Sequence, residues 1–379
     1  MENLTFLGDN NMRKILLATT AIVAMSAGSA MASDITISGS FELGYVNSSQ
    51  NDAYTDTATV ANTVGRTATV AGTTATDFIS QEMKNGSNMY VQSDVNINFS
   101  STTDSGLTMK MGYGLDENGA SDSANTDDIN FSISGDFGEV YATSTADDSA
   151  ARRLDIEAAY TNDESSTSHT MASSGLNSVA GESNAATTGG TIISYFLPSM
   201  IDGLSAGVSY SNAGTASKAN ATEWAAKYSG STSGMSYTIH YGAGSVDANG
   251  APAADSAVVS NGSSTTGYGV EVSASGFTVG TESTSVDRDD NNDDIDYTAT
   301  SVKYAMGDIT VAYNVEDRNY STTDANDVTR TAASVSYSVA PGLSASVTTS
   351  STSRGVGSGT AAGSKREDDV TVFALNASF

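Results

Sequence analysis

The sequence predicts an all-β protein, a transmembrane antiparallel up-and-down β-barrel of 16 strands. Three observations support this prediction: apolar and polar residues alternate with period two from Asp34 onward, short turns interleave with long polar connections, and charges within the strands share one face. Membrane barrels combine this alternation with short periplasmic turns and longer extracellular loops. The strand number is even because both termini of such a barrel lie on one side, and a miscount by two would keep it even.

Composition narrows the class of protein before any motif is considered. The 379 residues include no Cys, so disulfides and thiolate metal sites are excluded. A disordered low-complexity chain would share the 36 Gly but not the 17 Tyr and 10 Phe, which recur at regular intervals. The net charge of −28 excludes a nucleic-acid partner, because phosphate binding requires Lys and Arg. No apolar run approaches the roughly 18 residues of a spanning helix.

The N-terminal segment has the three parts of a secretory signal peptide. Met12-Arg13-Lys14 supplies a positive region, Ile15 to Met25 forms an apolar core, and Ala30-Met31-Ala32 is an A-x-A cleavage motif. The core is too short for a transmembrane helix. A buried helix of the folded domain is the alternative interpretation, but it leaves the order of these parts unexplained.

This signal divides the chain into three regions. We expect residues 1–11 to be a misannotated upstream extension and residues 12–32 to be removed by cleavage between Ala32 and Ser33. Residues 33–379 then form the mature barrel, exported through the periplasm to the bacterial outer membrane.

Sixteen segments carry the period-two pattern of β-strands. In the first segment Ile35, Phe41 and Tyr45 share one face while Thr36 and Ser40 share the other. The predicted strands are 34–46, 88–100, 107–115, 128–135, 139–145, 190–197, 204–212, 221–229, 235–243, 265–275, 277–286, 295–305, 309–316, 328–339, 343–350 and 369–379. Helical spacing has one short candidate, around 151–160.

The connections between these strands fall into two length classes that alternate along the chain. The short turns are Thr102–Gly106, Gly135–Gly138, Pro198–Gly203, Gly230–Gly234, Ser275-Gly276, Met306–Asp308 and Ala340–Gly342. The long polar connections are 47–87, 116–127, 146–189, 213–220, 244–264, 287–294, 317–327 and 351–367. A soluble β-sandwich has no reason to separate its connections in this way, whereas a membrane barrel does.

Charged residues within the predicted strands lie on the polar face. They are Glu42, Asp94, Lys110, Glu223, Lys227, His240, Glu271, Glu282, Lys303, Glu316 and Arg330. A charge on the lipid face costs about 2–4 kcal/mol at the bilayer midplane, so this placement is an energetic requirement in a membrane. The rest of the polar face is mainly Ser, Thr, Asn and Gly, which leaves nothing to pack as a core and predicts a wet interior.

Aromatic residues mark the closing strand and the membrane interfaces. The last strand ends at Phe379, and an interface girdle is predicted at Tyr45, Trp224, Tyr241 and Phe379. An alternating last strand with a terminal Phe resembles the substrates of the outer-membrane barrel assembly machinery. An ordinary edge strand that ends in Phe is the alternative.

Two hairpins resemble those of the gram-negative general porins of alphaproteobacterial type. Ser101–Leu107 resembles that family's first periplasmic hairpin, and Gly135–Val140 resembles the hairpin before its constriction loop. The first strand and the terminal Phe379 also fit, so the resemblance spans the mature chain. The chain departs from the family at Thr143, where Gly is frequent, and in the length of loop 47–87.

The resemblance implies a homotrimer whose third loop, 146–189, folds into the barrel and narrows a water-filled channel for small hydrophilic solutes and ions. The predicted constriction residues are Asp147, Asp148, Arg152, Arg153, Asp155 and Glu157, and the predicted pore-wall residues are Glu42, Asp94, Lys110, Lys227, Lys303 and Arg330. Carboxylates that line a pore favour cations, so the acidic excess predicts a weak cation preference. Alternatively, the loop carboxylates bridge divalent ions at the lipid and lipopolysaccharide surface.

Nothing in the sequence indicates an enzyme, a cofactor or a dedicated metal site. The segment 287–294 resembles a calcium loop, but Asn292 and Thr298 replace the Gly and Glu that an EF-hand requires, so only adventitious Ca²⁺ is expected at the acidic loops. The chain has two histidines, His169 and His240, and no G-x-S-x-G elbow between a strand and a helix.

Other functions remain open for the same barrel. A substrate-selective uptake channel differs from a general channel in solute discrimination, and a closed structural or adhesin barrel would need a plug, for which 146–189 is the candidate. A secreted β-rich passenger domain does not account for the one-sided charges or for Phe379.

Overall fold

The computed structural model describes a closed barrel of sixteen antiparallel strands, as the sequence predicts. The described residues are 33–50, 66–70, 73–77, 86–118, 129–143, 149–156, 161, 191–212, 220–246, 263–288, 294–321, 327–354 and 366–379. No helix within these ranges is long and apolar enough to cross a membrane. The predicted signal peptide and the cleavage residue Ala32 lie outside them.

Each strand of the wall pairs with its sequence neighbours, and the first pairs with the last. The wall consists of β1 (Ser33–Gln50), β4 (Gly86–Thr102), β5 (Thr108–Asn118), β6 (Ile129–Gly135), β7 (Gly138–Thr143), β8 (Thr191–Phe196), β9 (Leu204–Asn212), β10 (Ala221–Thr232), β11 (Met235–Val246), β12 (Ser263–Ala274), β13 (Phe277–Arg288), β14 (Ile295–Met306), β15 (Ile309–Tyr320), β16 (Val328–Ala340), β17 (Leu343–Arg354) and β18 (Arg366–Ser378). All sixteen correspond to predicted segments, with shifted ends.

The first long connection contains a hairpin that was not predicted. β2 (Arg66–Val70) and β3 (Thr73–Asp77) pair with each other and not with the wall. Their alternation is short and consists mostly of Thr and Ala, so it lacks the large apolar residues that identified the wall strands.

The seven predicted short turns lie at one rim, which also carries both ends of the wall and is called the turn end here. Each turn contains a glycine with positive φ: Gly106, Gly138, Gly203, Gly234, Gly276, Gly307 and Gly342. In the two-residue turns at Ser233-Gly234 and Ser275-Gly276 the serine is also left-handed, with φ of 51° at each. Two positive φ values are typical of a type I′ turn, whose twist matches that of the flanking strands.

The outer face of the barrel is apolar across its middle. Ile37 is 60% exposed and Trp224 46% exposed, and the rings of Trp224 and Tyr241 lie with centroids 5.4 Å apart. Tyr45 and Phe373 form a similar pair at 6.3 Å across the closing seam. Such an apolar surface is incompatible with water over this area and requires lipid or detergent.

The prediction that strand charges share one face holds only for the middle of the wall. Asp296 and Asp317 point outward near the opposite rim, the loop end, where they accept hydrogen bonds from Ser285 at 2.7 Å and Thr329 at 2.8 Å. The strands extend beyond the apolar belt at this rim, so an outward carboxylate there avoids the hydrocarbon cost that applies at the midplane.

The prediction that the inner face has nothing to pack is wrong in three places. Buried apolar clusters lie on it: one of Val46, Val370 and Val372, one of Tyr297, Ala299 and Val328, and one of Ala151, Leu154 and Ala225. The last cluster joins a loop to the wall, so part of the interior is packed rather than wet.

Candidate functional site: a loop across the lumen

The described part of the third long connection lies inside the barrel and includes a single turn of helix, α1 (Ala150–Arg153). Ser149 caps it, because its hydroxyl accepts a hydrogen bond from the backbone N–H of Arg152 at 3.4 Å. The described part of this connection is 149–156 together with Thr161, which is called the lumen loop here. The predicted constriction residues Asp147, Asp148 and Glu157 lie outside the described residues.

Small and polar residues of the inner wall receive α1. The backbone N–H of Ala150 donates to the hydroxyl of Ser209 at 2.7 Å, and that of Ala151 donates to the carboxylate of Glu223 at 3.1 Å. A Cβ on Gly207 would lie 3.2 Å from the Cβ of Ala150. The wall thus satisfies the N–H groups that a helix start leaves unpaired, and a glycine makes room for close approach.

Arg153 fixes the end of α1 to β7 and β8. Its guanidinium lies 4.4 Å from the ring centroids of both Tyr141 and Phe196. One of its nitrogens lies 3.4 Å from a carboxylate oxygen of Glu139. A planar guanidinium can stack on aromatic rings and bind a carboxylate at its edge, which a lysine cannot do.

Two wall side chains hold the backbone beyond the helix. Lys227 donates to the carbonyl oxygens of Arg153 and Asp155, at 3.3 Å each. His240 accepts from the backbone N–H of Ile156 through Nδ1 at 2.9 Å, and a carboxylate oxygen of Asp155 lies 3.3 Å from the same nitrogen. Because Nδ1 accepts a hydrogen bond here, the imidazole is in its neutral form.

The lumen loop also reaches the far wall. The hydroxyl of Thr161 donates to the side-chain oxygen of Asn314 on β15. Counted around the ring, β15 is eight strands from β7, where the connection begins, in a barrel of sixteen. The loop therefore makes contact with two diametrically opposed parts of the wall.

The predicted pore-wall residues are not equally exposed to the lumen. Asp94 and Lys110 are exposed, Lys227 and Lys303 are half-buried, and Glu42 and Arg330 are buried. Asp94 accepts a hydrogen bond from Ser40 at 2.9 Å, Glu42 accepts one from Tyr90, and Arg330 lies 2.8 Å from Glu316. Two of the four predicted wall cations, Lys227 and Arg330, are thus engaged by loop carbonyls or by a wall carboxylate.

The expectation of an acidic loop facing a basic wall is too simple for the described contacts. Arg153 of the loop meets Glu139 of the wall, while Asp155 of the loop lies beside His240. Arg153 and Glu139 form an ion pair whose polarity is opposite to the expected one, whereas the carboxylate of Asp155 faces an uncharged imidazole.

Several residues that hold the loop were not singled out from the sequence. They are Tyr141, Phe196, Gly207, Ser209 and Asn314. All have the strand parity of the inner face, which the alternation indicates. Parity alone does not identify which of many inward residues meets the loop, since that depends on distances across the lumen.

Comparisons with known proteins agree with this architecture. A model of the gram-negative porin family matches residues 18–356. A double mutant of the porin from Rhodobacter blastica is 16% identical, with a TM-score of 0.53 over 91% of this chain and 100% of that one. A loop-deletion mutant of OmpT from Vibrio cholerae is 10% identical, with a TM-score of 0.57 over 92% and 100%. A search of curated proteins gives no match.

Proposed function

Since the chain belongs to the family of gram-negative porins and forms an outer-membrane channel for passive diffusion of small solutes and ions, we propose that the lumen loop is its constriction and that the channel weakly prefers cations. The observation that carries the first part is the loop's contact with opposed walls, at Glu139 on β7 and Asn314 on β15. A segment held at both sides of a lumen must reduce the open cross-section between them.

The cation preference is inferred from which charges remain open to water. Lys227 binds loop carbonyls and Arg330 is buried against a carboxylate, so both contribute less attraction for anions than exposed lysines would. Asp94 and Lys110 are exposed in the lumen, and the chain as a whole carries a net charge of −28. Carboxylates on a pore wall favour cations, and lysine favours anions.

Reversal potentials in a salt gradient test this preference. We expect wild-type protein in planar bilayers to favour cations weakly, Asp94→Asn to reduce the preference, and Lys110→Gln to increase it. Asp104→Asn, in an exposed turn at the turn end, serves as a control with the same change in charge. Anion preference of the wild type would reject the proposal, and silent bilayers would favour a closed structural barrel instead.

We further propose that the protein acts as a homotrimer in contact with lipopolysaccharide and other outer-membrane lipids, and that Phe379 takes part in recognition by the barrel assembly machinery. The exposed ring of Phe379 at the end of the closing strand supports the last point. Conductance steps in groups of three and a detergent-corrected mass of three chains test the assembly state. A Phe379→Ala variant should accumulate unassembled in the periplasm.

A further inference from the structure

The far-wall anchor of the lumen loop is a chain of hydrogen bonds that ends in an ion pair. Thr161 donates to Oδ1 of Asn314, and the same amide donates from Nδ2 to Oε1 of Glu316. Arg330 donates from Nη1 to this Glu316 oxygen at 2.8 Å. These four residues, Thr161, Asn314, Glu316 and Arg330, are called the latch here.

Strand geometry places the three wall members of the latch side by side. Asn314 and Glu316 are two residues apart on β15 and therefore share its inner face. Arg330 is the cross-strand partner of Glu316 in the pairing of β15 with β16. Directly opposed side chains in a sheet lie close enough to interact, so the barrel register itself builds this cluster.

The latch is buried although it lies on the inner wall of a channel. The exposed fraction is 0% for Asn314 and 4% for both Glu316 and Arg330. Desolvation of a buried ion pair offsets much of its attraction, so stability alone is a poor reason for such a pair on a wall that could hydrate it. A buried polar network does, however, favour one arrangement of its members.

The directions of these hydrogen bonds define the orientation of the Asn314 amide. The Glu316 carboxylate accepts hydrogen bonds from both Arg330 and Asn314, so it faces the NH₂ end of the Asn314 amide. The carbonyl end then points to Thr161, which can donate to it. Arg330 in turn holds the Glu316 carboxylate in place.

We propose that Glu316 and Arg330 are positioning residues that orient the Asn314 amide, and that the latch sets the width of the channel by holding the lumen loop to the far wall. This inference rests on the proposed function of the loop as the constriction. Without the hydroxyl of Thr161 or the oriented amide, the loop keeps its contacts at β7 to β11 but loses its contact with β15.

The first test removes one hydroxyl at constant shape. We expect Thr161→Val to make current fluctuations of the open channel about fivefold more frequent, the factor that corresponds to a typical net hydrogen bond. Thr161→Ser retains the hydroxyl and should behave as the wild type. Thr348→Val removes a buried hydroxyl from the inner face of β17 and is the matched control. Wild-type fluctuations in Thr161→Val would overturn the proposal.

The second test asks whether Glu316 acts through the same contact. Glu316→Gln presents both donors and acceptors to Asn314 and so no longer imposes one amide orientation. If Glu316 acts by orienting the Asn314 amide, adding Glu316→Gln to Thr161→Val changes the fluctuation rate no further. Both substitutions then remove the same interaction, the contact between Thr161 and Asn314. Additive effects would reject the positioning role, and the heat stability of each variant in detergent shows whether the barrel is intact.

The third test uses the absence of cysteine from the chain. In the folded protein, a short bifunctional thiol reagent should bridge Thr161→Cys to Asn314→Cys and leave Thr161→Cys paired with Thr348→Cys unbridged, as read by mass spectrometry after proteolysis. If Thr161→Cys and Asn314→Cys are not bridged, the latch is rejected, whichever ions the channel prefers. A bridge combined with unchanged conductance in Thr161→Val would instead reject the loop as the constriction.

Discussion

Gly39 on β1 leaves space for the terminal aromatic residue at the seam where the barrel closes. The backbone N–H and carbonyl of Phe379 each pair with Gly39 at 3.1 Å. A Cβ on Gly39 would lie 2.7 Å from Cζ of the Phe379 ring and 2.6 Å from the carbonyl oxygen of Asp94 on β4. Real Cβ atoms do not approach other atoms so closely. The positions of the Phe379 ring and of the β4 backbone therefore both require that residue 39 has no side chain.

We expect Gly39→Val to weaken closure of the barrel, because the added methyl groups must displace the Phe379 ring and press on the β4 backbone. Overpacking of this kind typically costs about 1–3 kcal/mol. The measurement is the temperature at which the folded band in detergent converts to the unfolded one in gel electrophoresis. The control is Ser93→Val, which also adds methyl groups to the outer face but lies on β4. It should leave this temperature near that of the wild type.

Arg153 combines ring stacking with an ion pair, and the two contributions can be separated. The pair with Glu139 is partly exposed, with 33% and 24% of the two side chains accessible, and such pairs contribute about 0–1 kcal/mol. Stacking of the guanidinium on two rings adds about 0.5–1 kcal/mol or more for each when water is displaced. The rings should therefore hold α1 more firmly than the carboxylate does.

This difference predicts unequal effects of two substitutions. Arg153→Met loses the stacking and the ion pair, so α1 should loosen and the open-channel noise in bilayers should rise clearly. Glu139→Gln loses only the ion pair and should raise the noise little. Equal noise in the two variants would show that the ion pair, and not the rings, holds the helix.

At the scale of elements, the lumen loop depends on a bed of small residues that spans several strands. Ala225 on β10 is buried against Ala151 and Leu154, and Gly207 on β9 admits Ala150. Larger side chains at these positions would keep the helix off the wall. Backbone N–H groups of the loop then complete the attachment through Ser209 and Glu223.

Replacing Ala225 by Leu should push α1 from the wall toward the lumen axis and lower the single-channel conductance. Ala226→Leu is the matched control, because the next residue of the same strand points to the lipid and an added apolar side chain is tolerated there. Both variants should insert equally well. Unchanged conductance in Ala225→Leu would indicate that the helix does not border the open path.

At the scale of the whole molecule, the barrel reverses the usual order of a soluble sheet. The apolar residues face outward along the entire ring, and polar residues, together with a loop, fill part of the inside. No strand edge is left in the wall, because β1 pairs with both β4 and β18. Closure is what allows all backbone groups of a spanning sheet to be paired in lipid.

Adjacent residues of one strand should therefore respond oppositely to the same charge. Val335 on β16 points outward and Ser336 points inward. We expect Val335→Lys to lower the unfolding free energy in lipid vesicles by about 2–4 kcal/mol if it lies near the midplane. Ser336→Lys should change this free energy little and shift ion preference toward anions. Equal destabilisation by both would contradict the assignment of faces.

The sequence by itself determined the class of fold, the number of strands in the wall and, across the middle of the wall, the face on which the side chains lie. It did so because strand periodicity and turn chemistry are local, and because the hydrocarbon belt penalises outward charges at every position around the ring. The turn at Ser275-Gly276 and the alternation of Ile35, Ile37 and Phe41 are readable without knowing what lies across the barrel. The hairpin β2–β3 was missed because its short alternation lacks large apolar residues.

Only the tertiary structure decided which inward residues act together. Thr161 and Asn314 are 153 positions apart in the chain, and no local pattern relates them. Lys227 and Arg330 share the parity of Lys110, yet two of these cations are bound by other groups while Lys110 is exposed to the lumen. The position of a residue along its strand determines which face of the wall it lies on. Its contact partner depends on distances across the lumen, which are set only when the ring closes.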